Sequence, residues 1–184
     1  MKDLVFITGN QNKANYLIKW LGTPVEHQKI DLDELQSLDL RTVVEHKVRQ
    51  AYEIVKKPVL VEDLALSFTA MGRLPGTFIR WFLEELGNEG LCRLADKLEH
   101  RKAEAHILYA LYDGQAIHLF DGMAKGMIAK TPRGSEGFGW NPIFIPIGST
   151  KTYAEMIDEE LMPYSHRARA VAKLRTFLDE KWKD

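Results

Sequence analysis

The stretch Val5-Phe6-Ile7-Thr8-Gly9-Asn10-Gln11-Asn12-Lys13 passes from an apolar run into small, amide and cationic side chains. Gly9 lets the backbone approach a ligand closely. Asn10 can cap the helix that follows or donate to an oxygen, and the amides of a first helical turn favour an anion. Lys13 falls in that turn, where the helix dipole disfavours a cation by ~0.3–1 kcal/mol. An anionic ligand would reverse the penalty. Residues 8–13 thus hold the ingredients of a phosphate-binding turn, although the G-x-x-x-x-G-K-[ST] pattern is absent from the chain. The competing reading is an ordinary turn with a solvated lysine.

Other candidates are carboxylates, cations and rings. Glu62 and Asp63 close the run PVLVED, read as the end of a strand. Ligands gather at the carboxyl ends of strands in α/β sheets, and adjacent strand residues point to opposite faces, so one of the two would meet a given pocket. A carboxylate there could hold Mg²⁺ or orient water; a solvated strand end is the alternative. Glu34, in IDLDELQ, reads by itself as part of a solvated acidic loop. Lys47 lies on the apolar seam of its helix, between Val44 and Ala51, where it either snorkels or reaches a phosphate. In GSEGFGWNP, glycines including Gly139 surround Phe138, Trp140 and Asn141. The two rings either stack on a nucleobase, at ~1–3 kcal/mol each, or plug the core beneath a turn. Ser165 reads as an N-cap, with His166 and Arg167 in the first turn behind it, against the dipole. They face a ligand carbonyl or phosphate, or they are exposed basic residues.

The elements that must position these groups follow from periodicity. Residues 4–8 read as a buried strand, and 11–21 as a helix with Ala14, Leu17, Ile18 and Leu21 on one face. A strand near 25–30 and a helix over 42–55 follow, then the central strand PVLVED. Residues 78–98 are helical with a break near Gly87-Asn88-Glu89-Gly90. Segments 103–113 and 115–129 meet at Asp113-Gly114 as a hairpin. IFIPI is a short strand, and a helix over about 165–182 completes a mixed-sheet α/β pattern.

At 184 residues with 45% apolar side chains, the chain suffices for one domain with a sizeable core. Its 25 basic and 26 acidic residues form no long run of one sign, which argues against a nucleic-acid or membrane footprint but not against a small polyanion. No apolar run approaches the ~18–20 residues of a membrane span. Cys92 is the single cysteine, so no internal disulfide forms and a reducing, cytoplasmic compartment without a leader is expected. Within its helix Cys92 reads as core filler rather than nucleophile. The six histidines form no zinc pattern.

Taken in order, TGNQNK, PVLVED, LPGTFIRWFL, GFGWNPIF, TYAEM and SHRARA resemble the inosine triphosphate pyrophosphatase family over nearly the whole chain. The resemblance implies a single elongated α/β domain over residues 1–184. Its long, bent mixed sheet would be flanked by helices, with two lobes around a central cleft, and the protein would usually be a homodimer. It implies Mg²⁺-dependent hydrolysis of purine nucleoside triphosphates, above all ITP, dITP and XTP, to monophosphate and pyrophosphate, which cleanses the nucleotide pool. Carried over by position, Thr8, Gly9, Asn10 and Lys13 would hold the triphosphate. Glu34 and Asp63 would serve the metal, with Glu62 in support and Asp63 also the base for the attacking water. Lys47 would neutralise phosphate charge, and Arg80 stands where some members have a lysine. Phe138, with Gly139, Trp140 and Asn141 beside it, would meet the purine. Ser165, His166 and Arg167 would address the base, Arg167 at its six-position oxygen.

Departures from the commonest pattern are Leu64 for a hydroxyl residue, Arg80, Leu161 for a lysine, and Asn141 for an aspartate. A carboxylate can only accept from the N1–H of hypoxanthine, whereas an amide can donate or accept. Asn141 is therefore expected to relax or alter discrimination among purines. Two rivals follow: a related pyrophosphatase for another nucleotide, and a nucleotide-binding regulatory module without turnover, against which Glu34, Asp63 and Lys13 argue.

Overall fold

The apolar run at the start of the chain, followed by a helix with an amide cap, forms the first strand–helix unit of a computed structural model that describes residues 4–182. The strands are β1 (Val5–Ile7), β2 (Glu26–Gln28), β3 (Val59–Phe68), β4 (Pro75–Gly76), β5 (Lys102–Tyr112), β6 (Ile117–Ile128) and β7 (Phe144–Pro146). The α-helices are α1 (Gln11–Leu21), α2 (Leu40–Val55), α3 (Ile79–Asp96), α4 (Asp158–Leu161) and α5 (His166–Lys181). Three short 3₁₀ turns cover Thr69–Met71, Asn141–Ile143 and Tyr153–Glu155. The strands form one mixed seven-stranded sheet in the order β2-β1-β3-β5-β6-β7, with β4 paired to β3. This is the mixed-sheet α/β class expected from the sequence.

The chain divides into two compact units. The first comprises residues 1–63, 107–122 and 167–184. Here β1 pairs in parallel with β2, Val5 opposite Glu26, and with β3, Val5 opposite Val59. Because β1 lies between β2 and β3, α1 leaves it towards one side and α2 carries the chain from β2 across to the other. The carboxyl end of β1 is thus a topological switch point, where open α/β sheets bind their ligands. Residues 8–10 stand there. Ala14, Leu17 and Leu21 of α1 and Val44, Val48 and Ala51 of α2 are buried with β1 and with Val59, Leu60 and Val61 of β3. Ile18, expected on the buried face of α1, is 37% exposed. α1 ends at Gly22, in the left-handed region at φ 74°, whose amide donates to the Ile18 carbonyl.

The second unit comprises residues 64–106 and 123–166. In it β4 runs antiparallel to β3, and β7 antiparallel to β6. Along β6, Met123, Lys125 and Met127 are exposed and alternate with buried Ala124 and Ile128, the pattern of a strand with one wet face. α3 is interrupted at Gly87, with φ 64° and ψ 176°, where the sequence predicts a break. Asn88 behind it donates from Nδ2 to the Gly139 carbonyl at 2.9 Å, tying the helix to the glycine-rich loop.

Candidate active site

The turn after β1 is built from its own side chains. The amide of Asn10 donates to Thr8 Oγ1 at 3.1 Å, and Asn10 Oδ1 accepts from the amides of Asn12 at 2.9 Å and Lys13 at 3.4 Å. Asn10 is therefore the N-cap of α1, as its type predicts. Those two amides are satisfied internally, so the cationic weight of the turn rests on side chains. His27 Nε2 sits 2.8 Å from the Thr8 carbonyl and anchors the turn to β2. At Gly9 a Cβ would meet nothing nearer than Lys29 Cε at 3.9 Å, so packing does not demand a glycine here. The open face of Gly9 leaves room for a ligand, and Lys29 brings a cation beside it that the sequence reading overlooked.

Glu62 and Asp63 do not end their strand, contrary to the sequence expectation. β3 runs on to Phe68, and the two acids sit in its interior. They serve opposite faces, as the pleat requires. Glu62 is 2% exposed. Its Oε1 lies 3.2 Å from Lys13 Nζ, and its Oε2 accepts from Arg167 Nη1. The hydroxyl of Tyr109 on β5, buried as well, stands 3.1 Å from the same Arg167 nitrogen. Tyr16, three residues beyond Lys13 on α1, places its ring 6.0 Å from the guanidinium carbon. Burial alone would raise the Glu62 carboxyl, but the charges of Arg167 and Lys13 outweigh it and hold the group at about 2. The same pairing raises Arg167 against the effect of its own burial, and burial foremost pushes the Tyr109 phenol well up. Glu62 is thus a permanent anion clamped by two cations.

On the other face, Lys47 Nζ donates to Asp63 Oδ2 at 3.0 Å. Both side chains are about a fifth exposed, 19% and 23%. The seam lysine of α2 therefore reaches a carboxylate rather than snorkelling. Glu34 lies exposed between β2 and α2, in a stretch without regular structure.

Within the second unit, Phe138 is half-buried in the glycine-rich loop, whereas Trp140 is buried and 6% exposed. The Trp140 ring packs on Phe144, Tyr153 and His166. Of the two rings expected to stack on a base, Trp140 is therefore a core residue. A Cβ at Gly137, where φ is 74°, would stand 2.0 Å from Nδ2 of Asn141, so the loop closes on the Asn141 amide and only glycine fits. Ser165 and His166 are buried, and the Ser165 amide donates to the Leu161 carbonyl at 2.9 Å. Leu161 is a 4% exposed core residue of α4, a position with no room for a free lysine head. Arg80 is exposed on the first turn of α3, bonded to Glu84 at 2.8 Å and lying over the Trp81 ring. Leu64 follows Asp63 on β3 and is partly exposed.

The structure therefore gathers Thr8, Gly9, Asn10, Lys13, Lys47, Glu62, Asp63 and Arg167 in the first unit. Arg80, Phe138, Gly139, Trp140, Asn141, Ser165 and His166 fall in the second. Among the described residues, no three His, Cys, Asp or Glu side chains gather as a metal cluster. Mg²⁺ commonly takes one or two carboxylates and completes its shell with water and substrate phosphates. Asp63 is half-buried with one oxygen on Lys47, and this donor set fits a metal that arrives with its nucleotide. Glu62, with both oxygens on cations, offers a metal little. Tyr16, Lys29 and Tyr109 escaped the sequence reading. Tyr16 had a signal, since it stands one helical turn from Lys13 on the same face. Tyr109, inside an apolar strand, had none.

The Ham1 family model matches residues 4–177. The chain is 42% identical over 185 residues to the inosine triphosphate pyrophosphatase of Schizosaccharomyces pombe, covering 98% of this chain and 97% of that one. Among solved structures, a HAM1 protein from Coxiella burnetii superposes with a TM-score of 0.83 at 26% identity, covering 98% of this chain and 100% of that one. A nucleoside-triphosphatase described as a dITP/XTP pyrophosphatase, from Mycobacterium abscessus, gives 0.72 at 26% identity over 93% and 98%. This chain belongs to the Ham1 family.

Proposed function

We propose that the chain is a nucleoside triphosphate pyrophosphatase acting on deaminated purine nucleotides such as ITP, dITP and XTP. The observation that carries the reading is the pair of carboxylates on β3, each held by cations: Glu62 by Lys13 and Arg167, Asp63 by Lys47. They lie in the unit whose switch-point turn offers Gly9 and leads into Lys13, with Lys29, after β2, beside it. In a chain alike over its full length to pyrophosphatases, this arrangement supports binding of a triphosphate in the first unit.

The reaction adds water across the bond between the α- and β-phosphoryl groups. Water oxygen bonds to the α-phosphorus, the bridging oxygen leaves with pyrophosphate, and one proton is released. Asp63 accepts the proton of the attacking water. Lys13 and Lys47 offset the charge that accumulates on the phosphoryl oxygens, so that catalysis is chiefly positioning and electrostatics. Asp63 and Glu34 would hold Mg²⁺, which when bound neutralises phosphate charge and improves the leaving group. No covalent nucleophile is needed, and Cys92 is buried, with its thiol raised by that burial.

The test is pyrophosphate release from a panel of triphosphates, with and without Mg²⁺, by the wild type and Asp63→Asn. Release from ITP that needs the metal and is lost in the variant is expected. If no triphosphate turns over although nucleotides still bind, the chain is a binding module and the proposal fails.

A homodimer is part of the proposal. The wet face of the second unit exposes Met127 by 47% and Ile147 by 71%, beside a hollow of about 530 Å³ that also bears Lys102, Glu104 and Lys125. A second copy suits this face, because across a two-fold axis each Glu104 can meet a lysine of its partner. Sedimentation should give a dimer that Met127→Glu converts to monomer; a wild-type monomer at micromolar concentration refutes it.

A further inference from the structure

In the turn after β1, one peptide unit sits between two pinned neighbours and depends on a single side chain. The Thr8 amide donates to the Gln28 carbonyl at 3.1 Å, and the Asn10 amide donates to Thr8 Oγ1 at 3.1 Å. Between them lies the peptide joining Thr8 to Gly9, whose carbonyl is held by His27 Nε2 at 2.8 Å. A carbonyl only accepts, so Nε2 carries a hydrogen and donates. The register explains why a side chain is needed. Val5, Phe6 and Ile7 pair with Glu26, His27 and Gln28, so Thr8 stands opposite Lys29, and a continued parallel ladder would bring the Ile30 amide to the Thr8 carbonyl. β2 ends at Gln28, and His27 supplies the donor instead. The peptide is planar and trans, so a Thr8 oxygen turned to β2 sends the Gly9 amide the other way, towards β3. Alternation along the strand agrees: the Val5 amide, four residues back, donates to the Pro58 carbonyl just before β3 at 3.0 Å. The Gly9 amide donates to no group among the described residues, and Gly9 is exposed. All of these residues lie in the first unit.

We propose that His27 is a positioning residue for the triphosphate. It fixes the Thr8–Gly9 peptide so that the Gly9 amide stands as a ready donor on the side of β3, the strand that carries Glu62 and Asp63. This rests on the reading above, in which the first unit binds the triphosphate. Without the imidazole the same peptide can flip and present the Thr8 oxygen in place of the Gly9 hydrogen, and an oxygen repels a phosphoryl group. Glycine makes the flip easy, because it accepts either sign of φ. Packing does not oppose it, since a Cβ at Gly9 would meet nothing nearer than 3.9 Å. A turn with this freedom needs an outside tether if its donor is to point one way before the nucleotide arrives. The ordering is then completed on folding rather than on binding, which strengthens the contact. One hydrogen bond is equivalent to about 2- to 12-fold in an equilibrium constant.

The test uses the full chain and sets His27→Phe, which keeps a ring and loses the donor, beside His27→Gln, which keeps a side-chain N–H. Val25→Ala is the control, since Val25 is 8% exposed and its truncation loosens the core just before β2. His27→Phe should raise KM for ITP by about 2- to 12-fold with kcat held. His27→Gln should recover most of that loss. Val25→Ala should lower the melting temperature and leave KM unchanged. A second readout needs no turnover: the Gly9 amide proton, followed by NMR in isotope-labelled protein. The probe is an ITP analogue with a methylene bridge between its α- and β-phosphoryl groups. Binding it should move the Gly9 proton downfield in the wild type, as the amide bonds to phosphate, and by less in His27→Phe. The proposal is overturned if His27→Phe leaves KM unchanged, or if Val25→Ala raises KM as much. It is also overturned if the analogue binds without moving the Gly9 proton. When ITP turns over and that proton stays still, this inference alone falls; when no triphosphate turns over and the analogue does not bind, the reading beneath it falls too. The wild-type resonance keeps the proposal falsifiable should the phenylalanine variant fail to fold.

Discussion

Replacing Glu62 by glutamine keeps the shape of the side chain and removes its charge from between Lys13 and Arg167. The folded carboxyl sits at about 2 against an ordinary 4.5. At ~1.4 kcal/mol per pH unit, that difference is worth about 3 kcal/mol of folding free energy. Between pH 4.5 and 2 the unfolded chain binds a proton here and the folded chain does not. The contribution is therefore complete above 4.5, shrinks as pH falls, and is gone near 2. Removing one partner of a buried pair costs ~3–5 kcal/mol by an independent route, since Arg167 would be left buried without its counter-ion. For a chain of this size each kcal/mol moves Tm by ~2–4 °C, so Glu62→Gln should melt about 6–12 °C below the wild type at neutral pH. Urea denaturation of both proteins from pH 7 down to 2 is the assay. The gap should be about 3 kcal/mol at pH 7, narrow below pH 4.5 and close near pH 2. A gap of the same size at both ends of the range, or none at pH 7, would refute the assignment of Glu62 as a clamped anion.

Lys29→Met should raise KM for ITP about fivefold at low salt, the worth of an exposed charge contact near 1 kcal/mol, with kcat held; an unchanged KM removes Lys29 from the site. Asn141→Asp should sharpen the preference for ITP over ATP, because a carboxylate can accept from N1–H but cannot donate to N1. The ratios of kcat/KM for ITP, XTP, GTP and ATP report it, and identical ratios in the two proteins eliminate the idea.

The local parts of this fold were legible because their causes are local. Helix α1 begins and ends where Asn10 and Gly22 dictate. The hairpin turns where Asp113 accepts from the amides of Gln115 and Ala116, both at 2.8 Å. What escaped depends on partners far along the chain. Glu62 and Asp63 read as a strand terminus because two acids in a buried strand are costly. The residue that makes Glu62 tolerable is Arg167, 105 positions away. Trp140 read equally well as a stacking platform or as a core plug. Phe144, Tyr153 and His166 decide for the core, and the latter two are brought to it only by tertiary folding. The site residues were identifiable by type and by resemblance, and their division of labour was not: nothing in PVLVED tells which acid meets Arg167 and which meets Lys47.

That division has a genetic corollary. Neighbouring residues of a pleated strand look opposite ways, so deleting the single codon between Val59 and Val61, with β3 beyond it slipping by one residue, would turn each acid to the opposite face. Arg167 would then confront the shorter aspartate, and Leu64 would take the place opposite Lys47. In-frame indels in this short window should therefore be far more damaging than conservative missense changes there, a contrast that a deep mutational scan scoring both kinds of lesion would expose.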